Sequence, residues 1–196
     1  MAPYKIGYFV GSLASGSINR VLAKALIKLA PEDLEFNEIP IKDLPLYSYD
    51  YDADFPAEGR ALKEAIEASD GILFVSPEYN RSIPGALKNA IVWGSRPWGT
   101  NSFARKPTGI IGASPGNIGT AVMQSSMRSV LSFLDAPQLN SPEVYLQYRP
   151  EDFGEDGSIS NPDTEKFLAH YIGEYAAFVE RVLDSTAAGH IGDEGM

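Results

Sequence analysis

The sequence has no cysteine. Disulfides, thiol nucleophiles and cysteine-ligated zinc or iron–sulfur clusters are therefore excluded. Histidine is almost as scarce, with two copies, His170 and His190. One falls in the last helical stretch and the other near the C-terminus, so a Ser–His–Asp triad is not expected. No His/Asp/Glu group has metal-ligand spacing. Positive charge is in deficit: 16 Lys and Arg against 26 Asp and Glu give a net charge of −10. A nucleic-acid or anionic-membrane partner would need a basic face, so neither is expected. Long apolar runs are also missing. No segment approaches the ~20 apolar residues of a membrane span, and the N-terminus lacks a signal-peptide pattern, so a cytoplasmic location is expected.

What is present suits one well-cored domain: 196 residues, 44% hydrophobic and 21% charged, too short for two ordinary domains. We assign residues 1–184 to that domain and 185–196 to a frayed, flexible C-terminal tail.

The most informative stretch is Val10-Gly11-Ser12-Leu13-Ala14-Ser15-Gly16-Ser17-Ile18-Asn19. An apolar run over 4–10 precedes it, and Ile18, Val21, Leu22, Ala25, Leu26 and Leu29 follow at helical spacing, so it reads as strand, polar loop, helix N-terminus. That geometry aims unpaired backbone N–H groups, Ile18 among them, and a positive helix end at one point, which suits an anion. Ser12, Ser15, Ser17 and Asn19 add side-chain donors, and the glycines let the backbone come close. A dinucleotide loop would need glycine where Leu13 stands, and a triphosphate P-loop would need lysine where Ser17 stands. One terminal phosphate, as in FMN, fits better.

The rest alternates. Helix over 18–29, strand over 34–39, helix over 58–69, strand over 71–75, helix over 86–95, strand over 108–112, helix over 121–134, strand over 143–146 and helix over 164–183 follow in turn, the last with Phe167, Tyr171, Tyr175, Phe178 and Val182 on one stripe. Residues 40–56 form a long irregular stretch carrying Tyr47, Tyr49 and Tyr51, and a loop of that length is usually a binding or subunit-contact element. Five strands alternating with helices predict an α/β, doubly wound parallel sheet in the order 2-1-3-4-5. In that order strands one, three and four are neighbours. Their loops, 11–17, 76–85 and 113–119, converge on one crevice. In the second loop prolines stiffen a rim suited to a flat heterocycle, with Tyr79 able to pack on a ring and Arg81 able to attract an anionic substrate or the phosphate of NADPH. In the third loop Ser114 and Gly116 lie where a backbone must approach closely. A phosphate pocket beside a planar-ring rim on this architecture points to FMN.

These residues carry a resemblance. Gly11-Ser12-Leu13-x-x-Gly16-Ser17-x-Asn19, with Pro77-Glu78-Tyr79-Asn80-x-Ser82-x-Pro84-Gly85-x-Leu87-Lys88-Asn89-Ala90-Ile91, resembles the NADPH-dependent FMN reductase family. It is most similar to the chromate reductase and soluble quinone reductase branch, over roughly residues 4–183. The resemblance implies a flavodoxin-like three-layer sandwich, non-covalent FMN, NADPH or NADH as donor, and quinone, chromate or similar small-molecule acceptors. It also implies a homodimer or homotetramer with the flavin near a subunit contact. By position, Ser12, Ser17 and Asn19 would hold the phosphate, Pro77, Glu78, Tyr79 and Asn80 would line the ring, and Ser114 would close the third side. The branch usually carries an arginine where this chain has Ala14, so phosphate binding would rest on dipole and hydroxyls. Its Gly-Gly-Ala-Arg is Gly119-Thr120-Ala121-Val122 here.

The expected chemistry is ping-pong hydride transfer by the flavin with no obligate side-chain acid or base; Arg81 and Tyr49 are the candidate substrate-binding residues. A flavodoxin-type electron carrier, a non-catalytic nucleotide-binding module and a reductase that releases reduced FMN remain alternatives.

Overall fold

Period-two burial in the strands sets the architecture. In a computed structural model describing residues 2–187, β1 (Tyr4–Val10) sends Ile6 and Val10 to one face and Phe9 to the other. β3 (Gly71–Val75) is buried at every position and does the same, with Leu73 and Val75 opposite Ile72 and Phe74. β4 (Thr108–Ser114) repeats the pattern with Ile111 and Ala113 opposite Ile110. Strands buried on both faces belong in a parallel sheet covered by helices on both sides. With β2 (Leu34–Glu38) and β5 (Tyr145–Gln147) they form one five-stranded sheet in the order β2-β1-β3-β4-β5, every pair parallel. This is the flavodoxin order.

One face is covered by α1 (Ile18–Leu29) and α5 (Pro162–Ala187), whose Leu22, Leu26, Leu168, Ile172 and Val179 pack on Ile6, Leu73 and Ile111. The other face is covered by α2 (Ala57–Glu67), α3 (Gly85–Gly94) and α4 (Ala121–Phe133), whose Ile66, Leu87, Trp93, Met123 and Met127 meet Phe9, Phe74 and Ile110. Phe9 and Phe74 stack across adjacent strands with centroids 5.2 Å apart. No helix among the described residues is long and apolar enough to cross a membrane.

Several boundaries differ from the expected ones. β4 runs two residues further, to Ser114. β5 starts at Tyr145 rather than at 143, because the Val144 carbonyl accepts from the Gln124 side-chain amide at 2.7 Å instead of extending the ladder. α5 begins at Pro162, where Asn161 Oδ1 accepts from the N–H groups of Asp163 and Thr164. Proline at the first helical position after an asparagine cap is a strong start signal. The helix continues to Ala187, so 185–187 are helical; the remainder of the expected tail, with His190, lies outside the described residues. Phe167, expected on the buried stripe of α5, is 43% exposed.

Candidate functional site

The loops after β1, β3 and β4 leave the same edge of the sheet. β1 and β3 stay paired to their ends, with Gly11 N–H donating to Val75 O at 2.9 Å and Ser76 N–H to Ile111 O at 3.0 Å. The exits are so close that a Cβ on Gly11 would lie 2.2 Å from Ser76 Oγ. This close approach is what requires glycine there.

In the first loop Ser17 is the N-cap of α1, its Oγ accepting from Arg20 N–H at 3.3 Å. Among the described residues, the N–H groups of Ser15, Gly16, Ile18 and Asn19 have no protein acceptor. A Cβ on Gly16 would meet nothing within 4 Å. Ser15, Gly16, Ser17, Ile18 and Tyr148 border a cleft of about 350 Å³. Unpaired donors around open space at a helix N-terminus fit a phosphate. The nearby cations are already committed. Arg20 bonds Glu38 at 2.8 Å, and that hydrogen bond holds the Glu38 carboxyl below the usual carboxylate range. Lys24 Nζ donates to Glu155 O at 3.0 Å. Ser12 Oγ accepts from Ala14 N–H and lies 3.5 Å from Tyr79 Oη, joining the first loop to the second.

Asn19 departs from its expected role. It is 1% exposed, and its carboxamide spans Ala113, donating to the carbonyl at 3.0 Å and accepting from the N–H at 2.9 Å. The side chain therefore ties α1 to the end of β4, and only the backbone N–H faces the loop's donors.

The second loop is a tight hairpin. Tyr79 and Ser82 exchange backbone hydrogen bonds of 3.1 and 2.9 Å, and both central residues have positive φ, 51° at Asn80 and 61° at Arg81. This is the two-residue turn that prefers Asn-Gly. Asparagine tolerates the left-handed region; arginine there is strained. Arg81→Gly is expected to stabilise the protein by roughly 0.5–1 kcal/mol, seen as a raised Tm, since the Arg81–Glu78 pair it removes is long, 3.9 Å, and solvent-screened at its Arg81 end, and Glu78 keeps its two bonds to α4. Tyr79 is 50% exposed. Arg81 extends into solvent with Nη1 3.9 Å from Glu78 Oε1.

Glu78 also departs from expectation. Its side chain is 8% exposed, and Oε2 accepts from the N–H groups of both Val122 and Met123, each at 3.0 Å. These are orphan donors in the first turn of α4. Thr120, at the N-cap position, makes no capping bond with its side chain; its Oγ1 accepts from Gln124. The carboxylate thus caps α4 from a distance.

In the third loop Ser114 Oγ accepts from Gly116 N–H at 3.2 Å. Gln147 Nε2 donates to Pro115 O and Asn117 Oδ1, fixing the turn from β5. Gly112-Ala113-Ser114-Pro115-Gly116 has the spelling of a nucleophile elbow. Ser114 has no histidine partner: His170 is exposed on α5 and is the one histidine among the described residues.

Tyr49 is carried by the 40–56 segment rather than by one of the three loops. It is 80% exposed in a short 3-10 turn, Tyr49–Ala53, within the 40–56 segment. That segment is strapped to α3 by residues given no role from the sequence. Asn89 Nδ2 and Trp93 Nε1 both donate to Pro45 O, at 2.9 and 2.8 Å, and Tyr47 N–H donates to Asn89 Oδ1. Asn89 stands inside the long motif, which was the available signal.

A doubly wound sheet in flavodoxin order, with uncommitted N–H groups at the first strand–helix turn and a tight hairpin on the neighbouring strand, defines a flavodoxin-like protein. Residues 4–151 match the model of the NADPH-dependent FMN reductase family, and the chain belongs to that family. It is 49% identical over 175 residues to a 2-hydroxy-1,4-benzoquinone reductase of Burkholderia sp., covering 89% of this chain and 96% of the relative. It is 42% identical over 178 residues to a quinone reductase of Pseudomonas putida, covering 90% and 95%. The solved structure of FerB, a flavoenzyme NAD(P)H:(acceptor) oxidoreductase from Paracoccus denitrificans, superposes with a TM-score of 0.88 at 42% identity, covering 91% of this chain and 98% of that one.

Proposed function

We propose that the protein is an FMN-dependent NAD(P)H oxidoreductase that reduces small quinones. The observation that carries this is the set of four uncommitted N–H groups around the open Gly16, beside the hairpin on the next strand. In this reading Ser12, Ser15 and Ser17, with the N–H groups of Ile18 and Asn19, hold the phosphate through dipole and hydrogen bonds. Pro77, Tyr79 and Asn80 edge the isoalloxazine ring, and Ser114 and Gly116 close the third side. Bound FMN supplies two-electron redox chemistry, with NAD(P)H as the hydride donor. Arg81 and Tyr49, both exposed, recruit substrate. One crevice serving donor and acceptor in turn gives ping-pong kinetics, and chromate fits the same class of small acceptor. Leu46, Tyr49, Trp98 and Phe133 are large apolar side chains left exposed, which supports a homodimer or homotetramer.

The test is anaerobic spectroscopy of the purified protein followed by turnover with a benzoquinone. A flavin spectrum that bleaches on NADPH or NADH, with parallel lines in double-reciprocal plots against quinone, is the expected result. Flavin that neither donor reduces would instead identify an electron carrier, for which the net charge of −10 would be a docking surface. No uptake of added FMN would overturn the reading.

A further inference from the structure

The three loops are cross-braced by two buried side chains, one bonded to the backbone of β4 and the other to that of α4, on either side of the third loop. Asn19 joins the α1 turn to the end of β4 through Ala113. Glu78 joins the β3 hairpin to α4 through Val122 and Met123. Both braces meet at the third loop, between Ala113 and Val122. They leave α1 as a helix N-terminus at this edge with uncommitted N–H groups, while that of α4 is filled by a carboxylate. Glu78 is also held on its own side: the hairpin that follows it is closed by the two Tyr79–Ser82 backbone bonds, so the carboxylate and the hairpin move together.

Resting on the assignment of this crevice to FMN, we propose that Glu78 is a positioning residue: its single oxygen Oε2 fixes the hairpin relative to the third loop, and its reach to α4, not its charge, is what the site uses. The argument is geometric. One acceptor oxygen 3.0 Å from two adjacent N–H groups satisfies two orphan donors at once. An amide oxygen at the same place can do the same, since the donors need only a lone pair. A carboxylate one methylene shorter cannot reach them without moving the hairpin. A role in the flavin's electrostatics would have the opposite requirement, a negative charge near the ring with little demand on length.

Glu78→Gln and Glu78→Asp separate the two. With Glu78→Gln the FMN dissociation constant should stay within about threefold of the parent, while Glu78→Asp should weaken it by about tenfold or more, the cost of leaving two donors poorly paired and the hairpin loose. The kinetics should follow: with flavin saturating, Glu78→Asp lowers kcat with little change in the KM for NAD(P)H, and Glu78→Gln restores kcat. Amide exchange in flavin-free protein gives an independent readout. The Val122 and Met123 amides should exchange faster in Glu78→Asp and at the parental rate in Glu78→Gln. The proposal is overturned if Glu78→Asp keeps affinity and Glu78→Gln loses it, if both lose it, or if neither changes affinity or exchange. Should the parent protein bind no FMN, the flavin assignment fails by that result, and the exchange pattern still decides whether the brace exists.

Discussion

Gly16→Asp is expected to abolish practical FMN binding while leaving the fold intact or slightly more stable. The two effects have opposite sign for one reason, the positive end of α1. A side chain at position 16 meets no protein atom within 4 Å, and its backbone is not in the left-handed region, so the substitution carries no steric or conformational penalty. A carboxylate just before the Ser17 cap interacts favourably with the helix dipole, for a gain of about 0.3–1 kcal/mol in the flavin-free protein. The same carboxylate would stand where the proposed site puts the phosphate. Two like charges about 4 Å apart near a protein surface repel by roughly 4 kcal/mol, so a loss of at least a hundredfold in FMN affinity is expected. Arg20 and Lys24 cannot relieve it without giving up Glu38 and the Glu155 carbonyl. Thermal denaturation without flavin and fluorescence titration with FMN measure both halves. Gly16→Ala is the control and should alter neither by much. Unchanged FMN affinity in Gly16→Asp would remove the phosphate from this loop.

Much of the framework was legible because it rests on local pattern. The strands over 4–10 and 71–75 and the helix over 18–29 occur with the expected bounds, since continuous apolar runs and a 3.6-residue period are properties of the chain itself. The sheet order followed from alternation of strands with helices. What pattern could not carry was direction. Asn19 and Glu78 are polar residues in polar stretches, one at the start of α1 and one in the loop after β3, and composition favours turning them toward a ligand. The fold instead turns both inward, because Ala113 and the first turn of α4 present backbone groups that need partners. The onset of β5 was obscured in the same way, by Gln124 reaching the Val144 carbonyl from a helix 20 residues earlier. Such side-chain-to-backbone bonds have no sequence period. Phe167 shows the complementary limit: it keeps the helical spacing of the stripe and is 43% exposed, because spacing alone does not supply a neighbour to cover a side chain.

Trp93→Ala should produce the largest loss of stability of any substitution outside the sheet, and the loss should be uneven across the molecule. Trp93 is fully buried on α3, and it organises the 40–56 segment from below. The rings of Tyr47, Tyr51 and Phe55 lie 5.1, 5.4 and 5.0 Å from its own, two of them edge-on, and its Nε1 donates to Pro45 O at 2.8 Å. On the other side it presses against Gly59 of α2, where a Cβ would come within 2.8 Å of the indole. Truncation removes a core aromatic and leaves its three partners without a centre, which costs about 3–5 kcal/mol. In a domain of this size that lowers Tm by on the order of 10 °C. Trp93→Phe keeps most of the contact and loses one of the two donors to Pro45 O, for a cost of about 1 kcal/mol, because Asn89 still bonds that carbonyl. The release should be local. Limited proteolysis of Trp93→Ala should cut first within 45–56, and the KM for the electron acceptor should rise if Tyr49 on that segment meets the acceptor. FMN affinity should change little, because the proposed phosphate cradle lies at α1 on the opposite face of the sheet, braced by Asn19 rather than by α3. If FMN affinity fell in step with acceptor binding, the strap and the cradle would be one cooperative unit, and the separation of the two faces would not hold.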